Sequence, residues 1–74
     1  MTEEQVIGLV VGVDIQLTHF IPQDFKNTIR KTKEYRWAIN NIIGDAYYYI
    51  TGGKVLPLHK YDNLIKLEIE RLTR

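Results

Sequence analysis

The run Val6-Ile7-Gly8-Leu9-Val10-Val11-Gly12-Val13 is the longest stretch of the chain without a polar side chain, and the period of its continuation decides the fold class. It is far shorter than the roughly 20 residues needed to cross a bilayer. Followed to Thr18, its odd positions Ile7, Leu9, Val11, Val13, Ile15 and Leu17 are all apolar, whereas the even ones include Gly8, Gly12, Asp14, Gln16 and Thr18. That alternation has the period of a strand. A helix here would hold two glycines and the β-branched Val6, Ile7, Val10, Val11 and Val13 within eight positions, against intrinsic propensity. Thr2 to Gln5 resembles a capping box, yet the spacing predicts a long strand from Val6 to Thr18, bent at Gly12 where a bulge fits.

Pro22 suits a first helical position, and Asp24 stands in the first turn, where the helix dipole favours negative charge. At helical spacing Phe25, Thr28, Ile29, Thr32, Tyr35, Ile39 and Ile43 share one side. Gly44 is then placed for a left-handed C-terminal cap, so one long amphipathic helix is expected from Pro22 to Ile43. Arg36 falls inside the apolar arc and is its misfit; its stem can carry the charge outward. Next, Ala46-Tyr47-Tyr48-Tyr49-Ile50-Thr51 and Val55-Leu56-Pro57-Leu58 flank Gly52-Gly53, which reads as a hairpin with Pro57 on an edge strand. In the last segment Tyr61, Leu64, Ile65, Ile69 and Leu72 share a helical arc with Asp62 as a cap, while Ile65, Leu67 and Ile69 also alternate with charges. A helix is expected there, with a strand as its alternative. The expected architecture is α+β: a single domain of residues 1–74 in the order β-α-β-β-α. Its three-stranded antiparallel or mixed sheet, four-stranded if the last segment is a strand, packs on the long helix.

A chain of 74 residues buries only about 60% of the surface its unfolded form exposes, and it has no cysteine to staple itself. Self-association is the remaining route to extra burial, so a homo-oligomer is expected. The absence of cysteine and of a basic, apolar leader in Met1-Thr2-Glu3-Glu4-Gln5 points to the cytoplasm. With no serine and no cysteine, the common covalent nucleophiles are missing. His19 has no carboxylate at helical spacing and His59 has Asp62 alone, too little for a metal site or an acid–base pair, so neither is read and no cofactor is expected.

Two surfaces stand out. Lys26, Arg30, Lys33 and Trp37 follow at intervals of four, three and four residues, which on one helix is one flank. Residues 26–36 hold Lys26, Arg30, Lys31, Lys33 and Arg36 against Glu34, a stretch of +4 that leaves −3 elsewhere in a chain of net charge +1. Such a stripe suits a phosphate backbone, and tryptophan with arginine suits a protein interface. The overall pI of 8.0 is low for a dedicated nucleic-acid binder. The hairpin supplies the second surface: Tyr47 and Tyr49 with Leu56 and Leu58 on one face, Tyr48 and Ile50 with Val55 on the other, both apolar and both needing cover.

The chain is therefore expected to be a non-enzymatic binding protein, an inhibitor or adaptor that self-associates and meets a protein through Lys26, Arg30, Lys33 and Trp37 or through Tyr47 and Tyr49. Its asparagine, isoleucine, lysine and tyrosine content resembles that of small proteins of low-GC phages and mobile elements, many of which bind and inhibit a host protein. That resemblance is compositional and covers no motif. The alternatives are nucleic-acid binding by Lys26, Arg30, Lys31, Lys33 and Arg36, and an oligomer that sequesters an anionic small molecule such as a nucleotide.

Overall fold

The chain is all helical. In a computed structural model that describes residues 2–74, four α-helices follow in order: α1 Glu3–Thr18, α2 Gln23–Arg30, α3 Lys33–Ile50 and α4 Leu58–Leu72. No strand occurs among the described residues, so the expected α+β sheet and its hairpin are both replaced.

In α1 the residues that are buried are Val6, Val10, Val13, Asp14 and Thr18, a helical stripe that the alternation of odd positions had concealed. The capping box is real. The Gln5 backbone N–H donates to Thr2 Oγ1 at 3.2 Å and the Thr2 N–H to Gln5 Oε1 at 2.8 Å, while Glu3 and Glu4 face the positive end of the dipole. Propensity costs of a few tenths of a kcal/mol per β-branched residue are smaller than the roughly 1.5–3 kcal/mol gained by burying each valine.

The expected helix from Pro22 to Ile43 is two helices. The chain turns at Lys31 and Thr32, where Thr32 Oγ1 accepts from the Tyr35 N–H at 3.2 Å and starts α3 afresh. Gly44 does not end α3; it lies inside the helix, and only Gly52 and Gly53 have positive φ, at 73° and 108°. The Gly53 N–H donates to the Tyr48 carbonyl at 2.9 Å, which is the Schellman bond that stops a helix on a left-handed glycine. Thus Ala46 to Ile50 extends α3 instead of forming a strand, and Gly52-Gly53 caps it instead of turning a hairpin. Pro57 precedes α4, which starts at Leu58, so Asp62 lies within the helix and does not cap it.

α1 packs against both α3 and α4, and α2 against α3, in a body of 38 × 22 × 20 Å. Val6 and Val10 from α1 meet Ile39 and Ile43 from α3 and Tyr61, Ile65 and Ile69 from α4, with Leu56 of the connecting loop closing one end. No helix of the described residues is long and apolar enough to cross a membrane.

Candidate functional site

A buried ionic network lies at the meeting point of all four helices. Asp14 is 2% exposed and Arg30 9%. The guanidinium grips the carboxylate bidentately, Nε to Oδ1 at 2.9 Å and Nη2 to Oδ2 at 2.7 Å, while Nη1 donates to Asn27 Oδ1 at 3.0 Å and to the Leu72 carbonyl at 2.9 Å. The Tyr35 hydroxyl donates to the same carboxylate. Burial pushes the Asp14 carboxyl up, but hydrogen bonds from Arg30 and Tyr35 and the charges of Arg30 and Lys26 outweigh it and hold the group below the usual carboxylate value. Burial, reinforced by the carboxylate beside it, raises the Tyr35 phenol. Every charge here is met by a partner, which is the arrangement of a structural device.

Arg30 therefore leaves the expected flank of Lys26, Arg30, Lys33 and Trp37: its charge is turned inward and neutralised. Lys26 is half-buried, Lys31 is exposed at the end of α2, and Lys33 is exposed at the start of α3. Trp37 is 71% exposed on the outward side of α3, its carbonyl accepting from Asn41 Nδ2 at 2.7 Å. Tyr47 packs against the core, whereas Tyr49 is 83% exposed. The two tyrosines that the hairpin had placed on one face thus point differently.

A groove that no sequence pattern announced runs between α3 and α4, which both pack on α1. Arg36, Asn40, Gly44 and Tyr48 form the row on α3, one turn apart. Across from them, on α4 and the preceding loop, stand Val55, Leu58, Asp62 and Lys66, followed by Ile69 and Thr73. Three hollows follow this groove and share residues, Asn40 joining the first to the second, and Arg36 with Ile69 joining the second to the third. The end at Tyr48, Val55 and Leu58 has a volume of about 280 Å³ and a mostly apolar wall; the middle narrows to about 50 Å³. The far end, of about 530 Å³, is walled by Lys31, Arg36, Thr73 and Arg74 with Glu70.

At the narrow middle, Arg36 Nε and Asn40 Oδ1 are buried without a hydrogen-bond partner. Arg36 forms none of the ion pairs among the described residues. A donor and an acceptor one turn apart, desolvated and unmet, each cost about 1–3 kcal/mol unless something else supplies the bond. The misfit of Arg36 in the apolar arc was the one sequence signal that pointed here.

No three His, Cys, Asp or Glu side chains of the described residues gather in a way that would hold a metal ion. The chain matches no family model, no curated protein and no solved structure.

Proposed function

We propose that the chain is a non-enzymatic binding protein, an adaptor or inhibitor acting in the cytoplasm, and that it receives a segment of a partner protein in the α3–α4 groove. The observation that carries this reading is the unmet pair Arg36 Nε and Asn40 Oδ1 at the narrowest point of a groove whose one end is apolar. A monomeric chain gains nothing from burying these atoms unpaired, whereas a bound segment toward which the Arg36 and Asn40 side chains turn supplies an acceptor and a donor at once. The exposed Tyr48, Val55 and Leu58 add the apolar anchor that interfaces bury at their centre.

The test is affinity capture from a host lysate treated with nuclease, comparing the natural chain with Leu58→Asp and with Glu4→Gln, an exposed position in the first turn of α1 that lines none of the three hollows. One protein should be retained by the natural chain and by Glu4→Gln and lost from Leu58→Asp. Equal retention by all three, or recovery that vanishes with nuclease, would refute the reading.

A second reading, self-association, draws on a different observation. Phe20 and Phe25 at the α1–α2 corner are 92% and 59% exposed, and Ile15 nearby on α1 is 59% exposed. Light scattering on a size-exclusion column should show a dimer or larger species that Phe20→Ser dissociates; a monomer at tens of micromolar removes this reading and leaves the groove untouched.

A further inference from the structure

We infer that the segment taken by the groove is a short acidic amphipathic one, with its carboxylates at the Arg36 end and its apolar side chains at the Tyr48 end. This rests on the groove being the docking site. Charge and wall chemistry both change along its length, and they change in step.

At one end Lys31, Arg36 and Arg74 face the hollow against a single acid, Glu70, because Arg30 is already neutralised by Asp14. Arg36 holds its charge half-buried and in no ion pair among the described residues, although Asp62 and Glu70 line the hollows on either side of it, and its buried Nε is a donor without an acceptor. A carboxylate is the group that satisfies both needs, and an arginine fork is shaped to receive it. At the other end no cation lines the wall: Tyr48, Val55, Leu56 and Leu58 are joined there by Asp45. Midway, Asp62 stands beside Lys66. A strand of nucleic acid laid along the groove would bring phosphates to Asp62 and Asp45, so a uniform polyanion fits only one end. A polypeptide with acids confined to one half fits the whole.

The length is set by the row on α3. Arg36 and Tyr48 are three helical turns apart, about 18 Å, which equals about twelve residues of helix or five to six residues of extended chain. Asn40 Oδ1, one turn from Arg36, is an acceptor without a partner, and a turn of its side chain toward the groove lets it take a backbone or amide N–H of that segment.

The experiment is a selection of displayed random peptides of about twelve residues against the immobilised chain, with the enriched peptides then synthesised and measured by fluorescence polarisation. Enriched sequences should carry Asp or Glu in one half and Leu, Ile, Phe or Trp in the other. Their affinity should fall about tenfold or more with Arg36→Gln, and likewise with the exposed pair Lys31→Gln and Arg74→Gln, while helix content stays unchanged by circular dichroism. It should also be lost with Leu58→Asp. Peptides without acids that still depend on Leu58 but ignore Arg36→Gln would overturn the acidic chemistry and leave the groove reading standing. Peptides indifferent to Leu58→Asp, or no enrichment at all, would overturn both. A single-stranded oligonucleotide that binds more tightly than any selected peptide, and does so through Arg36, would overturn the inference in favour of a polyanion.

Discussion

Asp14→Ala is the substitution with the largest expected effect on folding. The carboxylate accepts two hydrogen bonds from Arg30, at 2.9 and 2.7 Å, and a third from the Tyr35 hydroxyl. Its removal strands a guanidinium that is 9% exposed and a phenol that is 6% exposed. Breaking a buried pair on one side costs about 3–5 kcal/mol, because the remaining charge stays desolvated. A domain of this size has a total stability of about 4–11 kcal/mol, so the variant is expected to lose about a third of it or more. At about 4–8 °C per kcal/mol, the melting temperature should drop by at least about 12 °C. Urea unfolding followed by far-UV circular dichroism is the assay, since Trp37 is too exposed to report on the core. Tyr35→Phe should cost about 1.5–3 kcal/mol by itself, and the double variant should cost less than the sum, because the phenol no longer lacks an acceptor. The apolar triple Asp14→Leu, Arg30→Met and Tyr35→Phe, which leaves no phenol without an acceptor, should be near neutral or more stable by about 1–4 kcal/mol. A loss below about 1 kcal/mol for Asp14→Ala, or equal damage from the apolar triple, would refute the view that these charges are desolvated and matched.

Three further outcomes are expected on the same geometry. The folded Asp14 carboxyl titrates below its unfolded value of about 3.9, so its contribution is fully present above that pH and is lost as the pH falls through the lower folded value; urea midpoints should be flat from pH 7 to 5 and decline below pH 4, and a decline beginning at pH 6 would contradict this. Gly8→Ala and Gly12→Ala should each stabilise by about 0.5–1 kcal/mol, because a Cβ at either position meets nothing within 4 Å; a loss in thermal melts would mean that another molecule's backbone approaches α1 there. Gly52→Ala should destabilise by about 1 kcal/mol, since φ is 73° with open space around it and the cost is conformational alone; an unchanged urea midpoint would refute that.

How much of this was legible depends on which signal competes at each position. In α1 two periods coexist: the odd residues from Ile7 to Leu17 alternate, and Val6, Val10 and Val13 recur at helical spacing. Tertiary burial chose the second, and the local evidence for it was the Thr2–Gln5 capping box. Once α1 is taken as a strand, Asp14 falls on the polar face and its partnership with Arg30 is invisible. Taken as a helix, it stands one turn from Val10 and one from Thr18 inside the buried stripe, and a buried acid implies a cation to meet it. Glycine misled in the same way at Gly44, which has helical dihedrals, because nothing in a sequence distinguishes a glycine that ends a helix from one that merely lies on its open side. The helical arc of Tyr61, Ile65 and Ile69 was legible because charged residues fill the opposite face. The groove was only half legible: Arg36 was conspicuous on its helix, but its facing row on α4 depends on how two helices cross, which no single-helix pattern records.

The hydrogen bonds of Arg30 also bear on how the molecule opens. Through one guanidinium and the carboxylate it holds, α2 is bonded to α1, to the carbonyl of Leu72 near the end of α4, and by way of Tyr35 to α3. No helix can then peel away on its own without exposing an unmatched charge on the others. Local fraying and global unfolding become nearly the same event, and amides as far apart in the chain as those of α1 and α4 should exchange with solvent together.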